Sequence, residues 1–189
     1  VMPSLLSRLR KKPIRSFFWL LLWALVIYQL WLFAHVLWYR THAPSETAFM
    51  AERLQTLRDK KPNAQLEYRW VPYSQISNNI KKAVIAAEDS RFVSHRGFDW
   101  EGLQTAFDKN MARGKIVAGG STISQQLAKN LFLSASRNPL RKAQEAVITV
   151  MLETTLSKQR ILELYLNVIE WGDRQYGIEG AARHYYRTS

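Results

Sequence analysis

At 189 residues the chain has room for one anchor and one domain. Its 27 Lys and Arg outnumber 15 Asp and Glu for a net charge of +12, and six of the basic residues (Arg8, Arg10, Lys11, Lys12, Arg15, Arg40) lie in the first forty positions, which hold no acid. The remainder, 21 basic against 15 acidic, suits anionic partners such as a phospholipid surface, a diphosphate or nucleic acid, while the absence of cysteine excludes a disulfide framework and a thiolate metal site.

Phe17 to Trp38 is a 22-residue stretch without charge, interrupted only by Gln29 and His35. About 20 apolar residues span a bilayer, and the stretch exceeds the ~7–15-residue apolar core of a cleaved signal peptide. Trp19, Trp23, Trp31, Trp38 and Tyr39 suit the interfacial aromatic belts, and the basic residues before the span predict a cytoplasmic N-terminus. The expected organisation is a basic cytoplasmic tail over 1–16, a transmembrane helix over 17–38, a membrane-proximal connector over 39–69 and a domain over 70–189. Within the connector, Ser45–Lys60 is expected to be helical, with Ser45 as N-cap and Phe49, Met50, Leu54 and Leu57 as its apolar positions; Pro62 stops it. Leu66, Tyr68 and Trp70 alternate with polar neighbours and predict one short strand before Pro72.

Ile76, Ile80, Val84 and Glu88 follow at spacing four, which puts a carboxylate in line with an apolar stripe where a helix gives way to a loop. Apolar surroundings disfavour a charged carboxylate and suit it to general-base work. Asp89, Arg91 and His95 lie within the next seven residues. A surface glutamate ending its helix accounts for this stretch equally well. Gly97 to Gly120 is the least regular part, with five glycines, and is expected to be a loop, either a flap over a cleft or a plain surface loop.

Thr122 and Gln125 make a capping box, so a helix is expected to start there behind Gly119 and Gly120, where backbone N–H groups can approach an anion. Ile123, Leu127 and Leu131 form its buried row, and Thr122, Gln126, Lys129 and Asn130 share a face suited to sugar hydroxyls and a phosphate. Arg141–Trp171 is expected to be helical, broken near Thr154–Ser157. Arg141 and Glu145 stand at i,i+4, close enough for an ion pair. Ala143, Ala146, Val147, Val150 and Met151 predict that their helix is largely buried.

Taken together, these residues resemble the signatures of the peptidoglycan glycosyltransferases, which extend bacterial wall glycan from lipid II. Glu88-Asp89-x-x-Phe92-x-x-His95-x-Gly97 is similar to the first signature, and Gly119-Gly120-Ser121-Thr122-Ile123-x-Gln125-Gln126-Leu127-Ala128-Lys129-Asn130 to the second. Arg141-Lys142-x-x-Glu145, then Glu153 and Ser157-Lys158-x-x-Ile161-Leu162-Glu163-x-Tyr165-Leu166-Asn167 with Gly172, are similar to the third and fourth. The likeness covers about Trp70 to Tyr186 and is strongest to the monofunctional kind, with an N-terminal anchor and no second domain. Where the family usually continues Tyr-Phe-Gly-Lys, this chain has Tyr185-Tyr186-Arg187-Thr188-Ser189, which implies a C-terminal part beyond it. No Ser-x-x-Lys transpeptidase motif occurs.

The resemblance implies a mainly α fold, in which a single transmembrane helix precedes a lysozyme-like, all-helical glycosyltransferase domain truncated at its C-terminus. It implies inverting transfer of a lipid-pyrophosphate-linked glycan to the GlcNAc 4-hydroxyl of lipid II, forming a β-1,4 bond. Glu88 and Glu145 are the implied catalytic residues. Asp89, Phe92, His95, Thr122, Gln125, Gln126, Lys129, Asn130, Arg141, Lys142 and Lys158 are implied in substrate binding. Cations stand where a glycosidase has its acid, because diphosphate leaves as an anion. Glu145 either orients Arg141 or holds a divalent ion, Mg2+ or Mn2+. Implied partners are lipid II, lipid-linked glycan, membrane lipid and other wall-synthesis or division proteins, with no nucleic acid, at the bacterial inner membrane with the domain outside the cytoplasm. Two rival functions fit the composition: a lytic transglycosylase or hydrolase, for which the Arg141-Lys142 pair has no purpose, and a non-catalytic membrane-anchored scaffold, for which Glu88 has none.

Overall fold

A computed structural model describes residues 13–187, apart from 118, 137, 173 and 174. Arg8, Arg10, Lys11 and Lys12 of the expected tail, and the closing Thr188-Ser189, lie outside the described residues. The chain divides into two units at His35/Val36. Helix α1 (Pro13–Trp38, 26 residues), most of it in the first, rises roughly 39 Å at ~1.5 Å per residue, enough for a ~30 Å hydrocarbon core. Its large apolar side chains from Ile14 to Trp31 are exposed, which fits a membrane anchor and not a helix of a protein core. His35, one of its two polar interruptions, bonds through Nδ1 to the Trp31 carbonyl at 2.9 Å, so its polar atom is satisfied inside the helix.

The second unit is built of short capped helices. Helix α2 (Ala48–Arg58) starts two residues later than its sequence suggests: Thr47, not Ser45, accepts from the Met50 N–H at 3.2 Å. Starting at Thr47 buries Met50 in the first turn, which selects between two adequate capping residues. Helix α3 (Asn78–Glu88) is capped by Ser77 and ends on Glu88, with Val84 buried. Ile76 is buried too but precedes the helix.

Residues 97–120 are not the irregular loop expected from their glycines. Helix α4 (Trp100–Arg113) fills most of the stretch, with Asp99 as N-cap on the Gly102 N–H at 3.0 Å and Gly114 as left-handed C-cap. The Asp and Gly bracketing a 14-residue run are the helix start and stop signals that mark it.

Helix α5 (Ile123–Phe132) begins in the expected capping box, Thr122 Oγ1 accepting from Gln125 N–H and Gln125 Oε1 accepting from Thr122 N–H. It packs against α6 (Pro139–Thr155) and α7 (Lys158–Val168), and also against α2. Its buried row of Ile123, Leu127 and Leu131 faces a core that includes Ile148 and Leu152 of α6 and Ile161, Leu162 and Tyr165 of α7. Each such side chain stabilises the fold by roughly 1.5–3 kcal/mol relative to exposure. The α6–α7 break falls at Leu156 and Ser157, where β-branched residues meet a serine cap.

The fold is mainly α, with one small sheet of order β1-β3-β2. Strand β1 (Glu67–Tyr68), expected from the alternation there, pairs in parallel with β3 (Gln175–Tyr176), and β2 (Glu170–Gly172) pairs with β3 antiparallel. Thus the helix expected to reach Trp171 ends at Val168. Glu170 pairs with Tyr176, and Gly177, just past β3 at φ +75, lies so close to α7 that a Cβ would strike the Asn167 carbonyl. A further short helix, α8 (Gly177–Ala181), follows.

Polar residues of α7 bind the chain that leaves α1 into the same unit. Arg160 donates to the carbonyls of Tyr39 (2.8 Å) and His42 (2.7 Å) and pairs with Glu163, which accepts from Tyr73 N–H. Asn167 both accepts from and donates to the Val71 backbone, as a neighbouring strand would.

Gly97 sits at φ +92, and a Cβ there would lie 2.8 Å from Thr149 Cγ2 and 3.1 Å from Glu153 Cγ. Gly97→Ala is therefore expected to lose about 1–3 kcal/mol from backbone strain and overpacking. Thermal unfolding followed by circular dichroism checks this; an unchanged midpoint contradicts the tight approach of this loop to α6.

Candidate active site

Two adjacent residues at the end of α3 point in opposite senses. Asp89 is buried. Its carboxylate accepts from His95 Nε2 at 2.9 and 3.0 Å and from the Ile123 N–H, at the start of α5, at 3.0 Å. His95 Nδ1 accepts from the Gly97 N–H at 3.1 Å, which assigns the ring proton to Nε2 and makes it the donor. Thr122 Oγ1 donates to the Gly97 carbonyl at 2.7 Å. The sequence marks this helix start as a place for an external anion; the anion that occupies it is Asp89, where the helix dipole favours negative charge.

Glu88, by contrast, is exposed. The expected apolar surroundings do not enclose its carboxylate: Val84 is the last buried residue of the row, and Ala86, Ala87 and Glu88 are exposed. Gln126 Nε2 donates to Glu88 Oε2 at 2.9 Å, and Tyr165 OH donates to Gln126 Oε1 at 3.2 Å. Burial first, and the charges of Glu88 and Asp89 after it, push the Tyr165 pKa well above that of a free tyrosine, so it stays protonated as a donor. Glu88 borders two cavities. One, of about 290 Å³, is polar and lined among others by Ser90, Asp99, Lys109, Gly120 and Ser121; the other, of about 380 Å³, is lined by Val84, Ala87, Tyr165, Ile169 and Trp171.

A second cluster lies on the first turns of α6. Arg141 Nη1 donates to Glu145 Oε2 at 2.6 Å, and Lys142 Nζ donates to Glu145 Oε1. Glu145 is buried, but not for the reason its neighbours suggest: Ala143, Val147 and Val150 are exposed, and the inward face carries Glu145, Ile148, Thr149 and Leu152. Both carboxylate oxygens of Glu145 are taken by cations, and among the described residues no three His, Asp or Glu side chains gather. With both oxygens paired, Glu145 offers no free oxygen to Mg2+ or Mn2+. Arg141 Nε is buried, and among the described residues no acceptor meets it.

The remaining expected site residues divide by burial. Phe92 is buried, with Lys158 Nζ 4.5 Å from its ring centre, and Lys158 pairs with Glu153 at 2.8 Å. Glu153 also accepts from Ser124 Oγ. Asn130 is buried and donates to the Gln126 carbonyl at 2.8 Å. Asp89, Phe92, His95, Thr122, Gln125 and Asn130 therefore form the frame of the site, and of these Asp89 and Thr122 also line the polar cavity. Gln126 reaches it directly. Lys129 stands 5.5 Å from the Phe49 ring, and neither cavity beside Glu88 is lined by Lys129, Arg141 or Lys142. Lys109 lines the polar cavity, although its helix was not expected, and Tyr165 joins the site as the one hydroxyl in the apolar row of α7.

Residues 53–189 match the family model described as Transglycosylase. Curated relatives named biosynthetic peptidoglycan transglycosylase match most of the chain. The chain is 59% identical to that of Methylobacillus flagellatus over 180 residues, which is 93% of this chain and 79% of the relative. It is 62% identical to that of Azoarcus sp. over 162 residues (86% and 70%) and 59% identical to that of Laribacter hongkongensis over 163 residues (86% and 72%).

Removing the Asp89 carboxylate strands two buried donors, the Ile123 N–H and the His95 ring N–H, each at roughly 1–3 kcal/mol. Asp89→Ala is expected to lower the melting temperature by about 5–15 °C, read by differential scanning fluorimetry. A shift within 2 °C, roughly the size of a surface substitution's effect, would remove Asp89 from the frame.

Proposed function

We infer that this chain, which belongs to the transglycosylase family, is a glycosyltransferase that polymerises peptidoglycan glycan strands from lipid II. Nothing in the fold favours a hydrolase or a scaffold. The observation that carries the residue assignment is the Glu88 carboxylate, exposed in a polar groove and held by the Gln126 amide on the Gly119–Asn130 segment. In the proposed step Glu88 takes the proton of the acceptor 4-hydroxyl as its oxygen bonds to the anomeric carbon of the donor. The bond from that carbon to the diphosphate breaks in the same displacement, and the configuration inverts from α to β. A base within hydrogen-bond reach contributes on the order of 10²–10⁴-fold.

The departing diphosphate carries its own negative charge, so it needs cations, not an acid. Arg141 and Lys142, held side by side by Glu145, are the proposed receivers together with Lys129. Glu145 acts in this reading as the residue that orients them. The unmet Nε donor of Arg141 supports an anion nearby. The apolar helix α1 supports anchoring of the domain at the height of a lipid-linked substrate. We place the N-terminus in the cytoplasm and the domain on the outer side of the inner membrane, where its partners are lipid II, lipid-linked glycan, membrane lipid and other wall-synthesis or division proteins.

Glu88→Gln is expected to abolish polymerisation of labelled lipid II by the detergent-solubilised protein while leaving binding of a lipid II analogue within about threefold. Parallel loss of both would reassign Glu88 to binding or folding. Arg141→Ala is expected to cost more turnover than Lys142→Ala, since the Arg141 side chain is 14% exposed against 49% for Lys142 and is the more firmly held of the two. Roughly 10²-fold against 10-fold is the expected contrast, measured by product sizing; equal losses contradict it.

A further inference from the structure

The Glu88 carboxylate stands at the last residue of a helix, exposed, with three rotatable bonds and, among the described residues, in no ion pair. Left to itself such a side chain samples several rotamers. Among the described residues one hydrogen bond holds it, from the Gln126 amide, and that amide can hold it only in one of its two orientations. With Nε2 toward Glu88 the amide donates to the carboxylate. Rotated by half a turn it presents Oε1, an acceptor, to another acceptor.

The Tyr165 hydroxyl decides between them. Tyr165 lines the apolar cavity, is 1% exposed, and donates its hydroxyl proton to Gln126 Oε1. In the rotated state the tyrosine would receive Nε2 and keep its own proton unpaired in apolar surroundings, while Glu88 met a carbonyl oxygen. Both ends of the amide thus disfavour the rotation, each by one lost hydrogen bond. The three groups come from α3, α5 and α7, so the orientation of the carboxylate is tied to the packing of all three.

We propose that Tyr165 is a positioning residue for glycan polymerisation, holding the Glu88 carboxylate in its proton-accepting orientation through the side-chain amide of Gln126. This rests on Glu88 being the base. A tyrosine serving only the core makes a different forecast, because its hydroxyl would then matter to stability and not to turnover.

The test uses Tyr165→Phe, Gln126→Met and the double variant of the full chain in detergent, with steady-state kinetics on labelled lipid II and a melting temperature for each. Tyr165→Phe is expected to lower kcat about 3- to 10-fold, the equivalent of one neutral hydrogen bond, with KM within twofold. Gln126→Met is expected to lower kcat at least as far. The double variant is expected to match Gln126→Met alone, because a hydroxyl that acts through the amide has nothing left to act on. Multiplicative losses in the double variant, a loss expressed in KM, or an unchanged kcat in Gln126→Met would each overturn the proposal, and the last does so even if Tyr165→Phe fails to fold. Glu88→Gln, run alongside, separates the two inferences: turnover retained there removes the base itself, whereas an inactive Glu88→Gln beside a wild-type Tyr165→Phe removes only the positioning role.

Discussion

The buried carboxylate of Asp89 is the constraint on which this unit depends. It lies against the first N–H of α5 and against His95, and so joins the end of α3, the loop over 89–97 and the start of α5 at one point. A buried charge persists only when it is hydrogen-bonded, and this one has a helix start and a ring N–H to meet it. Because Asp89 is fixed inward, the residue before it is turned outward. Glu88 reaches the groove beside Gln126 as a consequence of its neighbour's burial.

The carboxylates of the unit divide by the kind of donor that meets them. Glu145, Glu153 and Glu163 each pair with a basic side chain and organise structure: Glu145 gathers Arg141 and Lys142, Glu153 ties Lys158 to Ser124, and Glu163 holds the Arg160 that binds the chain leaving α1. Glu88 has a neutral amide instead. An amide orients a carboxylate without offering it a fixed positive charge, which would favour the ionised form and oppose proton uptake. The proposed step needs the cations that receive the diphosphate kept off the base. The separation of the Arg141–Lys142 cluster from the cavities beside Glu88 is consistent with that need.

Much of this was legible in the order of residues. Local signals decided the anchor, the capping box at Thr122, the break before Ser157 and the ion pair of Arg141 with Glu145, because each depends on side chains within about four positions of one another. The same kind of signal, Asp99 before and Gly114 after, also marks α4, where a density of glycines suggested a loop. What the sequence could not give was direction. It predicted Val147 and Val150 inside, and the α5 start open to an external anion. Each of these depends on which neighbour a helix face meets, and such contacts join residues 34 or more positions apart. Tertiary packing alone put Asp89 into the helix start, brought Tyr165 beneath Gln126 and left Glu88 in the groove, since a side chain's partner is chosen by the folding of distant segments together and not by the period of its own.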